Sequence, residues 1–279
     1  TKKEIAYGKG KEEVGLESGD DIGGGKGPES FNVDSAGNVY ICDTVNHRIQ
    51  VFSPTGAHLY EVPLKKGIEA NDIAIDKFGN IYVHDGRLHQ LDKKGDILST
   101  LNIDAKLWTA GMTGMDIHIV NDTIYIKSVT EKDLRDVPVG KIVDGLLTAP
   151  AEELFKSQKG INGLSGRKYL VDLKRWVKGD VKILDKSGHI IKAIELPMKG
   201  IVGIEFLQED KKGNFYIQTE HRDIAIDRLL LGVQKFDPDG NHLATVIVPE
   251  NEYSVWGIKL LSLDEDGNIY QFAPGKEKA

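Results

Sequence analysis

The sequence predicts an all-β fold, a six-bladed β-propeller of four-stranded blades, and three observations predict it. Val33–Leu59 and Ile75–Leu98 carry one pattern written twice, with Asp34 and Asp76 set 42 residues apart. A Gly-Asn turn recurs at Ser35–Asn38, Lys77–Asn80, Lys211–Asn214 and Glu265–Asn268, each ahead of an alternating strand such as VYICD or IYVHD. A second turn recurs at Ser53–Gly56, Asp92–Gly95, Asp185–Gly188 and Asp237–Gly240, each behind a strand such as RIQVF or VQKF. A period of roughly 40–50 residues holding several short strands is the mark of a radial β-repeat. Gly and Asn supply the positive φ that tight hairpins need. A blade therefore reads as strand a, Gly-Asn turn, strand b, a connection, strand c, a second turn and strand d.

Taken in order, the first blade spans Gly27–Leu64 and the second Gly67–Asp104. The third opens near Gly111 with a clear inner hairpin at Ile117–Val129, but Glu131–Lys159 holds few β-branched residues and leaves its outer strands open. The fourth has a reduced inner strand before Lys168–Trp176 and runs to Met198; the fifth covers Gly200–Glu250. The sixth shows only strands a and b, at Gly257–Leu263 and Asn268–Phe272. Lys3–Gly8 and Glu12–Ser18 read as a short hairpin able to supply its strands c and d. The last blade is then split between residues 1–20 and 254–273, which removes sheet edges and ties down both termini.

Composition agrees with a single domain over 1–279. With 40% hydrophobic and 28% charged residues the chain can bury a substantial core, and closed β architectures routinely exceed the usual domain length. A net charge of −7 argues against nucleic acid, whose recognition needs a basic stripe. No apolar run reaches the roughly 20 residues of a membrane span and no signal peptide opens the chain. The start at Thr1 fits a processed secretory protein or a trimmed chain. Cys42 is the only cysteine, so no internal disulfide, CxxC site or covalent haem is expected.

Asp43–Phe52, DTVNHRIQVF, resembles the NHL repeat, with Asn46, His47 and Arg48 at the triplet that names it. The opening from Tyr7 to Phe52 is similar to bacterial six-bladed propellers of the NHL or TolB-like kind. That resemblance implies an extracellular or periplasmic location and fixes no activity. NHL-type amidating lyases hold a metal with channel histidines and gluconolactonase-like propellers use Glu, Asn and Asp; neither set maps residue by residue onto this chain.

Local motifs read as structure. Asn46, His47 and Arg48 cap the turn between strands b and c with Asp43 as charge partner of Arg48, since short polar side chains satisfy local backbone groups. Asp264–Asn268 and Asp237–Asn241 resemble the start of a calcium loop but lack its downstream Glu. Gly23–Gly27 leads into a strand, not a helix, and so is a link rather than a phosphate loop.

The face carrying the b–c and d–a connections varies in length, through Glu131–Lys159 and Glu220–Leu231, and recognition usually resides in such loops. Asp72, Asp116 and Glu205 occupy equivalent repeat positions and, with Trp256, are candidate binding residues at the channel mouth; the carboxylates either form an acidic funnel for a cation or basic segment or cap neighbouring loops. Trp108, Trp176, Leu229 and Leu230 are candidate anchors for a protein partner. The favoured function is a non-enzymatic interaction or structural scaffold needing no cofactor, whose partner is another protein or assembly subunit. The alternative is a metal-dependent hydrolase, lactonase or lyase with calcium or zinc at the channel mouth, Asp116, Glu205 and Asn162 among its ligands, and His118 and His221 the histidine pair to watch.

Overall fold

In the computed structural model the described residues are 2–17, 25–103, 116–129, 134–151, 159–174, 178–197, 200–223, 228–249, 259–273 and 275. They build five antiparallel four-stranded blades and one two-stranded sheet. The first blade is β1–β4 (Phe31–Val33, Val39–Asp43, Arg48–Phe52, His58–Pro63) and the second β5–β8 (Asp72–Ile75, Ile81–His84, Arg87–Leu91, Ile97–Asn102). The third is β9–β12 (Ile117–Val120, Thr123–Val129, Leu134–Val143, Leu146–Thr148) and the fourth β13–β16 (Ile161–Asn162, Lys168–Lys174, Lys178–Leu184, Ile190–Glu195). The fifth is β17–β20 (Ile201–Glu209, Phe215–Asp223, Arg228–Phe236, His242–Ile247), followed by the pair β21 (Leu261–Leu263) and β22 (Ile269–Gln271).

The middle strands are buried on both faces because each blade is sandwiched between neighbours. β2 and β3 accordingly are buried at four of their five positions each, Asp43 and Gln50 included. The core lies between blades. Tyr40, Ile49 and Val51 of the first pack on Ile73, Ile81 and Val83 of the second, and Tyr169 and Val181 of the fourth on Phe206, Phe215 and Phe236 of the fifth. Cys42 is wholly buried in the first of these clusters, and burial pushes its thiol well above the usual range.

The repeating a–b turn shows why its sequence recurs. Asp76 accepts from the N–H of Phe78 and of Asn80, each at 2.9 Å, from Asn80 Nδ2 at 2.8 Å and from Tyr82 Oη at 3.1 Å. Gly79 stands at φ +80°, a conformation that favours glycine. Asp34, Asp210 and Asp264 repeat this arrangement with Tyr40, Tyr216 and Tyr270. The fourth blade lacks the aspartate: Gly163 stands in its place. Glu209, at the end of β17 in the next blade, fills the gap, accepting from Ser165 N at 2.7 Å, Ser165 Oγ at 2.9 Å and Tyr169 Oη. A Cβ on Gly163 would meet the Glu209 carboxyl at 2.5 Å, so the neighbour's carboxylate occupies the aspartate's space.

Several expectations are corrected. Six four-stranded blades are expected, and the described residues form five, with two strands in the sixth sheet. Within 2–17 the expected N-terminal hairpin reduces to one bridge between Tyr7 and Val14; Gly8, Gly10 and Gly15 leave no run of strand-forming residues long enough for a ladder. The segment is instead stapled to the first blade. Arg48 pairs with Asp43 at 2.8 Å, as expected, and also donates to the carbonyls of Gly10 and Glu13, while Asn46 donates to that of Gly8. Ile5, Val14 and Tyr7 join a cluster with Phe31, Phe52 and Phe272, and Tyr7 Oη donates to Gly275 O at 2.8 Å.

The described residues of the two supposed insertions are mostly strand. Glu131–Lys159 contains β11 and β12, and Glu220–Leu231 the facing ends of β18 and β19. The b–c hairpins of the third to fifth blades have strands of 7 to 10 residues, against 4 or 5 in the first two blades. Cross-strand pairing sustains these arms despite their Lys, Arg and Asp content, because strand propensity yields to pairing context.

Candidate functional site

The innermost strands β1, β5, β9, β13, β17 and β21 line a common channel with two cavities, whose walls share Asn32, His118, Leu207, Gln208 and Leu263. The end formed by the a–b turns holds about 100 Å³. The mouth end, formed by the starts of the inner strands and the far ends of β10 and β18, holds about 310 Å³.

At the mouth two lysines tie the carboxylates together. Lys127, on β10, lies 2.6 Å from Asp116 and 3.0 Å from Glu205. Lys259, just ahead of β21, lies 2.8 Å from Asp116 and 3.0 Å from Asp72. Both side chains are about nine-tenths buried. Burial alone would lower the Lys127 ammonium, but Asp116 and Glu205 outweigh it and hold it well above its ordinary range. The same opposition pushes Lys259 up to about 12, with Asp116 and Asp72 as the raising charges. Burial works to raise Asp116, and the two ammonium groups overcome it and hold the carboxyl well below the usual carboxylate range. Asp72 goes the other way. It is fully buried, and burial pushes it up to about 6, with the Asp116 charge adding and Lys259 opposing. Asp72 also accepts from Ser30 Oγ and, at 2.7 Å, from Ile117 N.

The expected acidic funnel is therefore a charge-compensated network. Asp116 and Glu205 line the mouth cavity, whereas Asp72 lies behind it against Lys259. Sequence reasoning passed over both lysines, because neither sits in a recurring motif and Lys259 finds Asp72 across 187 positions. A lysine just ahead of an inner strand was the one available signal.

His118 lines both cavities. Its Nε2 lies 3.2 Å from Oδ2 of buried Asp136, which also accepts from Asn162 N at 2.7 Å and Asn162 Nδ2 at 2.8 Å. His118 Nδ1 is buried without a partner, and the ring stacks on Tyr125 at 5.8 Å between centroids. His221 sits on β18 opposite Ile201 and is not in the cavity wall. Among the described residues no three His, Cys, Asp or Glu side chains converge to hold a metal ion. An ion at the mouth would have to displace ammonium groups from the carboxylates it needs, so this donor set does not fit calcium or zinc.

Leu230 is half-buried on β19, and Leu229 belongs to the same strand. Trp256, Trp108 and Trp176 lie outside the described residues, as do Gly23 and Gly24 of the Gly23–Gly27 link. Among the described residues the large exposed apolar side chains, apart from Phe78 on an a–b turn and Val143 at the end of β11, lie on the outermost strands: Leu59, Ile97, Leu98, Leu146, Ile190, Ile191, Leu243, Val246 and Ile247.

Comparison with known proteins agrees with the repeat. Residues 26–52 match the family model described as the NHL repeat. This stretch of the chain is similar to the NHL repeat. Among solved structures the chain is similar to a streptogramin B lyase, at 15% identity over 99% of this chain and 95% of that one, with a TM-score of 0.48. It is similar to a member of the duf4221 family from Bacteroides vulgatus, at 12% identity over 96% and 92%, with a TM-score of 0.48. It is also similar to a calcium-binding protein, regucalcin, from Agrobacterium tumefaciens, at 18% identity over 80% and 74%, with a TM-score of 0.43. No curated protein matches the sequence. At these levels the likenesses pass no activity to this chain.

Proposed function

We propose that the chain is a non-enzymatic binding module, one ring of six blades whose last blade is completed by the N-terminal segment, and that its mouth face docks another protein. The observation that carries this reading is the pairing of the mouth carboxylates with Lys127 and Lys259. Groups that a metal-assisted hydrolase would turn on its substrate are spent here on joining blades. The long b–c arms of three successive blades support it further, since recognition on a rigid scaffold concentrates in its variable connections. The stapling of residues 2–17 to the first blade, and Tyr7 to Gly275, supports closure through the N-terminal segment. Leu229 and Leu230 belong to the docking face in this reading, and Asp116 and Glu205 to its charged centre. An extracytoplasmic setting, drawn from the resemblance to bacterial propellers, is part of the same proposal.

Chemical cross-linking in the native source tests it, with metal content read on the same sample. A stable protein partner linked through 131–159 or 220–231 is the expected result. A solitary chain loaded with stoichiometric calcium or zinc overturns it and favours the hydrolase or lyase reading, for which the one supporting feature is His118, held at Nε2 by Asp136 and unpartnered at Nδ1.

A further inference from the structure

The mouth cavity differs from its surroundings in what it leaves unsatisfied. Among the described residues both ammonium groups in its wall are engaged by carboxylates, and none of these residues offers a free cation to an anionic ligand. Asp116 and Glu205 are engaged in turn, and Glu220, exposed at the rim, is the one lining carboxylate without a cation among the described residues. The open hydrogen-bonding capacity belongs to neutral groups. The amides of Gln208 and Gln218 and the hydroxyl of Ser262 line the cavity and have no protein partner among the described residues. His118 also lines the cavity, but its free Nδ1 is buried and its Nε2 faces Asp136.

An amide offers donors and an acceptor side by side, and a hydroxyl offers one donor and two acceptor sites. Such groups match a ligand whose own groups both give and accept. A polar cavity with unspent amides gains most from a solute that replaces its water with equivalent hydrogen bonds. The walls also include Leu207, Leu260 and Leu261, against which the C–H face of a ring can lie. At about 310 Å³ the space falls at the small end of ligand pockets.

We propose that this cavity binds a small uncharged polyhydroxylated ring, of the size of a monosaccharide or cyclitol, held by Gln208, Gln218 and Ser262. This goes beyond the docking reading and does not depend on it, since the contacts lie inside the channel rather than on the arms.

The test is ligand-observed NMR on the full chain with D-glucose, D-galactose, N-acetylglucosamine and myo-inositol as neutral probes. Gluconate and glucosamine serve as charged counterparts of the same size. The expected result is saturable transfer to at least one neutral probe, stronger than to either charged one. Gln208→Ala and Gln218→Ala should each weaken it about fivefold, as loss of one neutral hydrogen bond would. Glu61→Ala, remote from the channel, should leave it unchanged. Both glutamines are only partly buried, and unchanged thermal melting of the variants separates lost contacts from lost fold. Transfer to no neutral probe, a preference for a charged one, or binding indifferent to both glutamine substitutions each overturns the proposal.

Discussion

The two ends of the channel satisfy their carboxylates in opposite ways. At the a–b turn end Asp34, Asp76, Asp210 and Asp264 are each held by the residues that follow them within six positions. At the mouth end Lys259 reaches Asp72 and Asp116 from another blade, across separations of up to 187 residues, and Lys127 joins Asp116 of its own blade to Glu205 of the fifth. The first arrangement makes a blade and the second makes a ring. Glu209 is the exception that sharpens the contrast, because it lies at the turn end yet acts across the blade boundary, replacing the aspartate that Gly163 omits.

Removing a cross-blade cation should have the largest effect. Lys259→Met leaves Asp72 and Asp116 buried beside each other without one of their counter-charges, and should lower stability by about 3–5 kcal/mol in urea unfolding. A loss below 1 kcal/mol would mean the ring does not depend on the network. Glu209→Ala should cost about 2–3 kcal/mol by stranding Tyr169 Oη and the Ser165 N–H. Gly163→Asp alone should destabilise by collision with Glu209; added to Glu209→Ala, it should restore much of the loss, and a double-mutant cycle reads that coupling. Purely additive effects would show that Glu209 is not a substitute aspartate. Asp76→Ala breaks only its own turn and should cost about 1–2 kcal/mol.

The smallest effect lies in pH. Asp72, raised to about 6 in the fold, gives stability that is complete below the ordinary aspartate value and is lost as pH rises through about 6. His84, which burial lowers to about 4, gives the opposite slope: its contribution is present above its ordinary value and lost as pH falls towards 4. The Asp72 part is therefore read as a difference. Unfolding free energies of the wild type and Asp72→Asn should diverge progressively between pH 6 and pH 4, the wild type gaining relative to the variant. Parallel curves would show that Asp72 titrates normally in its buried place.

The same contrast explains what could be read in advance. The turn end was legible because each aspartate, its glycine, its asparagine and its tyrosine fall within one short window, so a repeat in the sequence is a repeat of the contacts. The first, second and fifth blades followed from it. The mouth was half legible: repeat spacing placed Asp116 and Glu205 in the cavity wall, but nothing local marked Lys127 or Lys259 as their partners. The third blade's outer strands were obscured because β11 carries Arg135, Asp136, Pro138 and Gly140, and tertiary pairing makes a strand of a segment that propensity would leave as loop. Glu209 could not be read from its own blade at all, since its meaning lies in a residue missing from the one before.

Buried Cys42 turns the first blade into a timepiece. A thiol on an interior strand of the blade, with every atom covered and its ionisation suppressed, reacts with an aqueous reagent only while that blade is open. With reagent concentrated enough to outpace reclosing, the rate at which the chain consumes it counts openings next to the N-terminal staple, one event per modified molecule. A chain with a single cysteine needs no engineering to be timed in this way.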